Sequence, residues 1–126
     1  APVNDASHDG RIYASTGGVS RAIASSLKTL RHGVKLNSRK GNGIRECKQI
    51  FNEVEAGTLD ANFIEGMACI GGCVGGPGKL VTAEEGSEAA EAFAQKSEIK
   101  EAVANDAAKI LIEKYEEKVS LESDSM

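Results

Sequence analysis

Residues 66–78 read GMACIGGCVGGPG, and this segment limits the fold more than any other part of the chain. Glycines at 66, 71, 72, 75, 76 and 78, with a proline at 77, rule out a helix or a long strand, because such a segment loses too much backbone entropy on ordering. The segment is therefore a loop, entered from the apolar run Ala61–Glu65. Its two cysteines, Cys69 and Cys73, are separated by three residues, two of them glycine. Thiolates are soft ligands that suit iron–sulfur clusters and zinc. Glycines beside them let the backbone wrap a bulky inorganic group and turn amide hydrogens toward it. A phosphate cradle is the competing use of such a loop. The residues fit neither GxGxxG nor GxxxxGK[ST], and no lysine or hydroxyl stands at the required offset. A flexible linker would be polar and serine-rich, which this segment is not.

Composition narrows the surroundings of the loop. There is no Trp, and only three Phe and two Tyr, so the core must be built from aliphatic residues and alanine. At about 25 cal/mol per Å² of buried apolar surface, such a core is thin for 126 residues, which points to reliance on a neighbouring segment or a second copy. The net charge of −4, with no basic patch interleaved with aromatics, argues against nucleic acid. No apolar run is long enough for a membrane span, and the N-terminus lacks the apolar core of a signal peptide. The chain reads as soluble and cytoplasmic. Three cysteines without an export signal favour metal or redox chemistry over a disulfide framework.

The elements expected along the chain give an α/β fold. Residues 1–10 form an irregular lead-in, and Arg11–Ser15 a short strand. Thr16, Gly17 and Gly18 turn into a helix whose apolar face is Val19, Ala22, Ile23, Ser26, Leu27 and Leu30. Gly33 ends that helix, with Arg31 and His32 against the negative end of its dipole. Val34–Ser38 is a second strand, and Gly41, Asn42 and Gly43 form a turn. A helix carrying Ile44, Cys47, Ile50 or Phe51, and Val54 follows, with Asn42 as cap and Gly57 as stop. Ala61–Glu65 is a third strand. Alternation of this kind favours a mostly parallel sheet with flanking helices. From Thr82 onward the chain reads as a helical extension, opened by a Thr82–Glu85 capping box. It carries an apolar stripe of Ile99, Val103, Ala107, Ile110, Leu111 and Ile112. Residues 120–126 are a frayed tail, and 1–126 is treated as one segment.

With these residues in view, FIEGMACIGGCVGGPG resembles the last signature motif of the iron-only hydrogenases. That motif has the form E-x-M-x-C-x-x-G-C followed by a glycine run, matched here by Glu65, Met67, Cys69, Gly72 and Cys73, with Gly75 and Gly76 in the run. RIYASTGGVSRAI and NGIRECKQIFNEVEAGTLDANFIEG are similar to the segments that precede the motif in that family. The resemblance spans roughly residues 10–118. It implies that the chain is the C-terminal lobe of the hydrogenase catalytic domain, whose complete protein interconverts dihydrogen with protons and electrons. By the same resemblance Cys69 ligates a [4Fe–4S] cluster and Cys73 bridges that cluster to a two-iron subsite, with Gly72, Gly75 and Gly76 in the surrounding loop. Met67 packs beside the two-iron subsite. Two positions depart from the family pattern: Ile70 replaces a frequent proline, and Pro77 interrupts the glycine run. The motifs carrying the other cluster cysteines are not among these residues, so the chain alone is expected to bind no cluster and to be inactive. The partners implied are the N-terminal part of the catalytic domain and an electron carrier. Exposed apolar surface further suggests a homodimer.

Other residues have plainer readings. Cys47 lies on the apolar stripe of its helix and is expected to pack as a small hydrophobe. His8 and His32 are expected at solvent or beside a helix dipole rather than on a metal. Glu65 either orients loop amides or faces water, and Gly17–Gly18 either packs a tight turn or cradles an anion. The acidic runs EEGSEAAEAF and EKYEEK are expected to be solvated helix faces. Two alternatives stand beside the hydrogenase reading. One is a non-catalytic relative with a sensory or cluster-assembly role. The other is a stand-alone iron–sulfur module, with a cluster shared between two chains.

Overall fold

The structure is a computed structural model, describing residues 5–31 and 33–123 and, within the last helix, side chains as far as 116. His32 lies outside the described residues. Among the described residues, five α-helices and one two-stranded sheet make an α/β unit. The helices are α1 (His8–Arg11), α2 (Gly18–Thr29), α3 (Ile44–Glu55), α4 (Ala83–Gln95) and α5 (Asp106–Ser123). The strands are β1 (Ser38–Asn42) and β2 (Phe63–Met67).

The strands pair in parallel through α3, from Ser38 opposite Phe63 to Asn42 opposite Met67. Both strands lie later in the chain than hydropathy predicts. The Asn62 side chain explains where pairing begins: it accepts from the Asn37 amide at 2.8 Å and donates to the Lys35 carbonyl at 2.8 Å. The ladder runs on from that clasp, so Gly41 and Asn42 belong to a strand and not to a turn, and Val34 stays outside it, half exposed. Gly41 and Gly66 face each other across the sheet, and Cys47 of α3 lies on the pair. A Cβ at Gly41 would stand 2.9 Å from the Cys47 sulfur. Cys47 therefore packs as a small side chain, as expected, because only glycine lets α3 approach the sheet this closely.

The expected strand Arg11–Ser15 is absent. Ser7 caps α1 by accepting from the Gly10 amide, so His8–Gly10 are helical, and Ile12–Ala14 continue as a 3-10 turn. Ile12 is drawn into the core at 2 % exposure, and Ser15 keeps only an isolated antiparallel bridge to Gly72. α2 forms where its 3-4 spacing places it, covering Val19, Ala22, Ile23, Ser26 and Leu27 while Leu30 remains exposed. Gly57 ends α3 with φ +67°.

The helical C-terminal extension is present as α4 and α5, the second starting at Asp106. Between them the chain pairs with the N-terminal segment: the His8 amide donates to the Ile99 carbonyl at 2.7 Å, and Asp9 to Lys100 at 3.0 Å. Ser97 adds a hydroxyl bond to the Ala6 carbonyl, and Asn105 caps α5 by accepting from the Ala107 amide. These bonds offset the helical propensity of 96–105. Ile110, Leu111 and Ile112 are more than half exposed, so the predicted stripe is not buried within this chain. Among the described residues the buried apolar side chains are Ile12, Ala22, Ile50 and Ala94, the thin core that composition implies.

Candidate functional site

The cysteine loop leaves β2 at Met67 and is held by the turn before α2 and by the start of α4. Gly71 and Gly72 take left-handed φ values of +88° and +90°, a conformation that residues with a Cβ adopt only at a cost. Successive tight turns follow, with Gly72 N donating to the Cys69 carbonyl, Gly75 N to Gly72 and Gly76 N to Cys73, each at 3.0 Å. The amides of Gly72, Gly75 and Gly76 are thus engaged within the loop. The sequence predicts loop amide hydrogens aimed at a bound group; in these three glycines they point at loop carbonyls instead. Space is what these glycines supply: a Cβ at Gly75 would stand 1.9 Å from the Ile70 carbonyl oxygen, and one at Gly76 3.5 Å from the Cys69 sulfur.

Cys69 is half-buried, Cys73 is exposed, and neither forms a disulfide. Met67, half-buried, closes β2 directly before the loop. Two soft thiols on one rigid turn suit an iron–sulfur ligand set, but they are half of what a cubane needs. Among the described residues no three His, Cys, Asp or Glu side chains are grouped to hold a metal ion. The Cys47 sulfur lies against the sheet, 3.7 Å from the Gly41 and Met67 carbonyl oxygens.

Glu65, 4 % exposed, points from β2 to the N-terminus of α2. Its carboxylate accepts from the Gly17 amide at 2.7 Å, from the Ser20 amide at 3.0 Å, and from the Ser20 hydroxyl. Burial works to raise the Glu65 pKa, but the bonds from Ser20 and Gly17 together outweigh it, and the pKa lies below the ordinary carboxylate value. Both readings of Gly17–Gly18 hold at once. Gly18 packs against the Ile12 carbonyl, and the Gly17 amide cradles an anion that the chain itself supplies. Glu65 orients the amides of α2 rather than those of the cysteine loop.

In that frame, the family model for the iron-only hydrogenase large subunit, C-terminal domain, matches residues 1–77, from the first residue through the whole cysteine motif. The chain belongs to this family. No curated protein matches it. The matched region contains both strands, the Glu65 clasp and the cysteine loop; α4 and α5 lie beyond it. α4 nevertheless closes over the loop, with Val74 against Gly86 and the Thr82–Glu85 capping box at its start. In this hydrogenase-family chain, two residues have partners that the sequence does not indicate. Asn42, read there as a helix cap, reaches Gly71 of the loop; Gly43 stands at the cap position instead. Glu91, read as a solvated acid, is a hub between α1, α2 and α4.

At that hub, Glu91 accepts from Arg21 at 2.7 Å and from Gln95 at 2.9 Å, and its other neighbour is His8 Nε2 at 3.1 Å. His8 is therefore partly buried between Asp9 and Glu91 rather than solvated. The Arg21 guanidinium first, then His8 and Gln95, lower the Glu91 pKa to about 2. Because the folded pKa lies below the ordinary 4.5, the clasp contributes fully above pH 4.5 and is lost as pH falls toward 2. The group is partly exposed, so screening holds its contribution to about 1 kcal/mol or less. Hydrogen exchange in molar salt at pH 7 should show α4 amides opening while the β1–β2 amides stay protected. Equal loss of protection in both would remove Glu91 as the clasp.

Proposed function

We propose that the chain supplies Cys69 and Cys73 to the active-site cluster of an iron-only hydrogenase catalytic domain. The observation that carries this reading is the placement of both free thiols on one self-held glycine turn, inside the family's matched region. Cys69 is the ligand of a [4Fe–4S] cluster, and Cys73 is the ligand shared between that cluster and a two-iron subsite. When bound, this group supplies the reversible exchange of dihydrogen with protons and electrons. Met67 lines the subsite, and Gly72, Gly75 and Gly76 serve by shape, keeping the loop backbone compact around the two cysteines. Three cysteines cannot complete a cubane's four thiolates, so the other ligands come from outside these 126 residues.

The partner that fits the exposed apolar side chains is the remainder of the catalytic domain. Phe51, Ile70 and Leu80 are 63, 71 and 100 % exposed, which is surface of the kind that marks a protein contact. Residues 1–126 act as one unit, since α4 and the segment after it are bonded to residues 6–21. Among the described residues no helix is long and apolar enough to cross a membrane. A cytoplasmic setting with a separate electron carrier completes the reading.

Anaerobic reconstitution with iron and sulfide tests it, with iron per chain and oligomeric state measured together. The chain alone should take up no stoichiometric iron. Joined by the rest of the catalytic domain it should retain iron, and Cys69→Ser or Cys73→Ser should each abolish most of that retention. About two irons per chain in a dimer of this chain alone would mean a shared cubane and a self-sufficient module instead.

A further inference from the structure

We propose that Asn42 is a positioning residue for the Cys69–Cys73 thiol pair, acting through Gly71. Asn42 is the last residue of β1, opposite Met67 in the sheet, and its side chain extends toward the cysteine loop. Its Oδ1 accepts from the Gly71 amide at 2.7 Å and from the Thr16 hydroxyl at 3.0 Å. The Thr16 amide then donates to the Gly71 carbonyl at 3.1 Å. These three bonds close a ring around the Gly71 residue and hold both its N–H and its C=O. Asn42 is itself tethered, its amide donating to Glu46 Oε2 at 2.8 Å.

Gly71 lies midway between the two cysteines, two residues after Cys69 and two before Cys73. Its left-handed φ of +88° starts the turn that brings the chain back. The opposite side of the residue is closed by Ala83 of α4, whose Cβ would be 2.7 Å from a Cβ added there. Gly71 is therefore pinned by β1 on one side and by α4 on the other, and the sulfurs sit on the two arms of that pivot. Any group that binds both thiols needs them held in one relation, and a chelating pair loses affinity when its arms swing independently. The carbonyl oxygen of Asn42 is the only side-chain atom among the described residues that bonds the Gly71 amide. This proposal rests on the two-thiol reading above.

The test uses the whole chain in a Cys47→Ala background, so that only Cys69 and Cys73 remain. Cadmium ion is titrated and thiolate-to-metal charge-transfer absorption is read. Asn42→Ala should weaken cadmium binding about 10- to 100-fold, the range typical for loss of a partner that orients a metal ligand. Asn42→Asp keeps the acceptor oxygen and should stay within about threefold of the parent, while Thr16→Val, which removes only the hydroxyl, should fall between. Circular dichroism confirms that all variants are folded at the titration temperature. Parent-like affinity in Asn42→Ala, or affinity in Asn42→Asp as weak as in Asn42→Ala, would overturn the proposal. If Cys69→Ser binds cadmium as the parent does, the two-thiol reading itself fails, and the role of Asn42 fails with it.

Discussion

Gly18→Ala should lower the stability of the chain by about 3 kcal/mol or more, while Gly33→Ala should leave it unchanged or raise it slightly. A methyl on Gly18 would stand 1.9 Å from the Ile12 carbonyl oxygen and 2.6 Å from its carbonyl carbon. Both are backbone atoms, so no rotamer change relieves the contact. Ile12 is one of the few fully buried side chains, and displacing its carbonyl displaces it from the core. A thin core has little surplus with which to absorb that. At the conversion usual for a domain of this size, the melting midpoint should fall by about 10 °C. Gly33 meets nothing within 4 Å, so a methyl there clashes with nothing. Gly75→Ala makes the same kind of contact within the loop, 1.9 Å from the Ile70 carbonyl oxygen. Its damage should be local, since the loop is on the surface. Thermal denaturation of the three variants checks this, and equal midpoints for Gly18→Ala and Gly33→Ala would contradict the packing.

These glycines also mark what was legible in the sequence. The cysteine loop, α2, α3 and the Thr82–Glu85 capping box could be read from local pattern, because each depends on residues within a few positions of one another, and the parallel pairing from the alternation of strand and helix. The strand boundaries could not, since β1 is a polar stretch, SRKGN, set by the Asn62 clasp and by the room Gly41 and Gly66 give Cys47. RIYAS has a strand's composition, yet it lacks a sheet partner and coils to bury Ile12. The break between α4 and α5 depends on bonds to residues some ninety positions earlier, which no local pattern encodes. In the site, motif residues were found and their holders were missed. Cys69 and Cys73 stand out by chemistry, whereas Asn42 resembles an ordinary helix cap until Gly71 is placed beside it. A polar side chain closing a strand that runs beside a glycine-rich loop is the signal that could have flagged it.

Glu65→Ala should cost about 3 kcal/mol or more at pH 7, and Glu65→Gln less, with the Gln penalty shrinking in acid. The carboxylate joins β2 to α2 through the Gly17 and Ser20 amides and the Ser20 hydroxyl, all in a buried setting. Alanine leaves these donors without an acceptor and away from water, and each orphaned buried donor costs about 1–3 kcal/mol. Glutamine keeps one carbonyl oxygen but turns an NH2 group toward a donor, so part of the clasp survives. The two side chains differ in charge at pH 7, and the pH dependence follows from that. The folded pKa of Glu65 is below its ordinary value of 4.5, so the charged form's contribution is complete above pH 4.5 and is lost as pH falls through the folded pKa. Protonated glutamate and glutamine are near-isosteric neutral acceptors, so wild type and Glu65→Gln should converge in stability at low pH. Urea denaturation of both proteins at pH 7 and pH 3 measures the gap. A gap that is constant with pH would mean that Glu65 acts by shape alone. A narrowing gap would identify its negative charge as the counterpart of the α2 N-terminus, fixing the turn at Thr16 against which the cysteine loop is built.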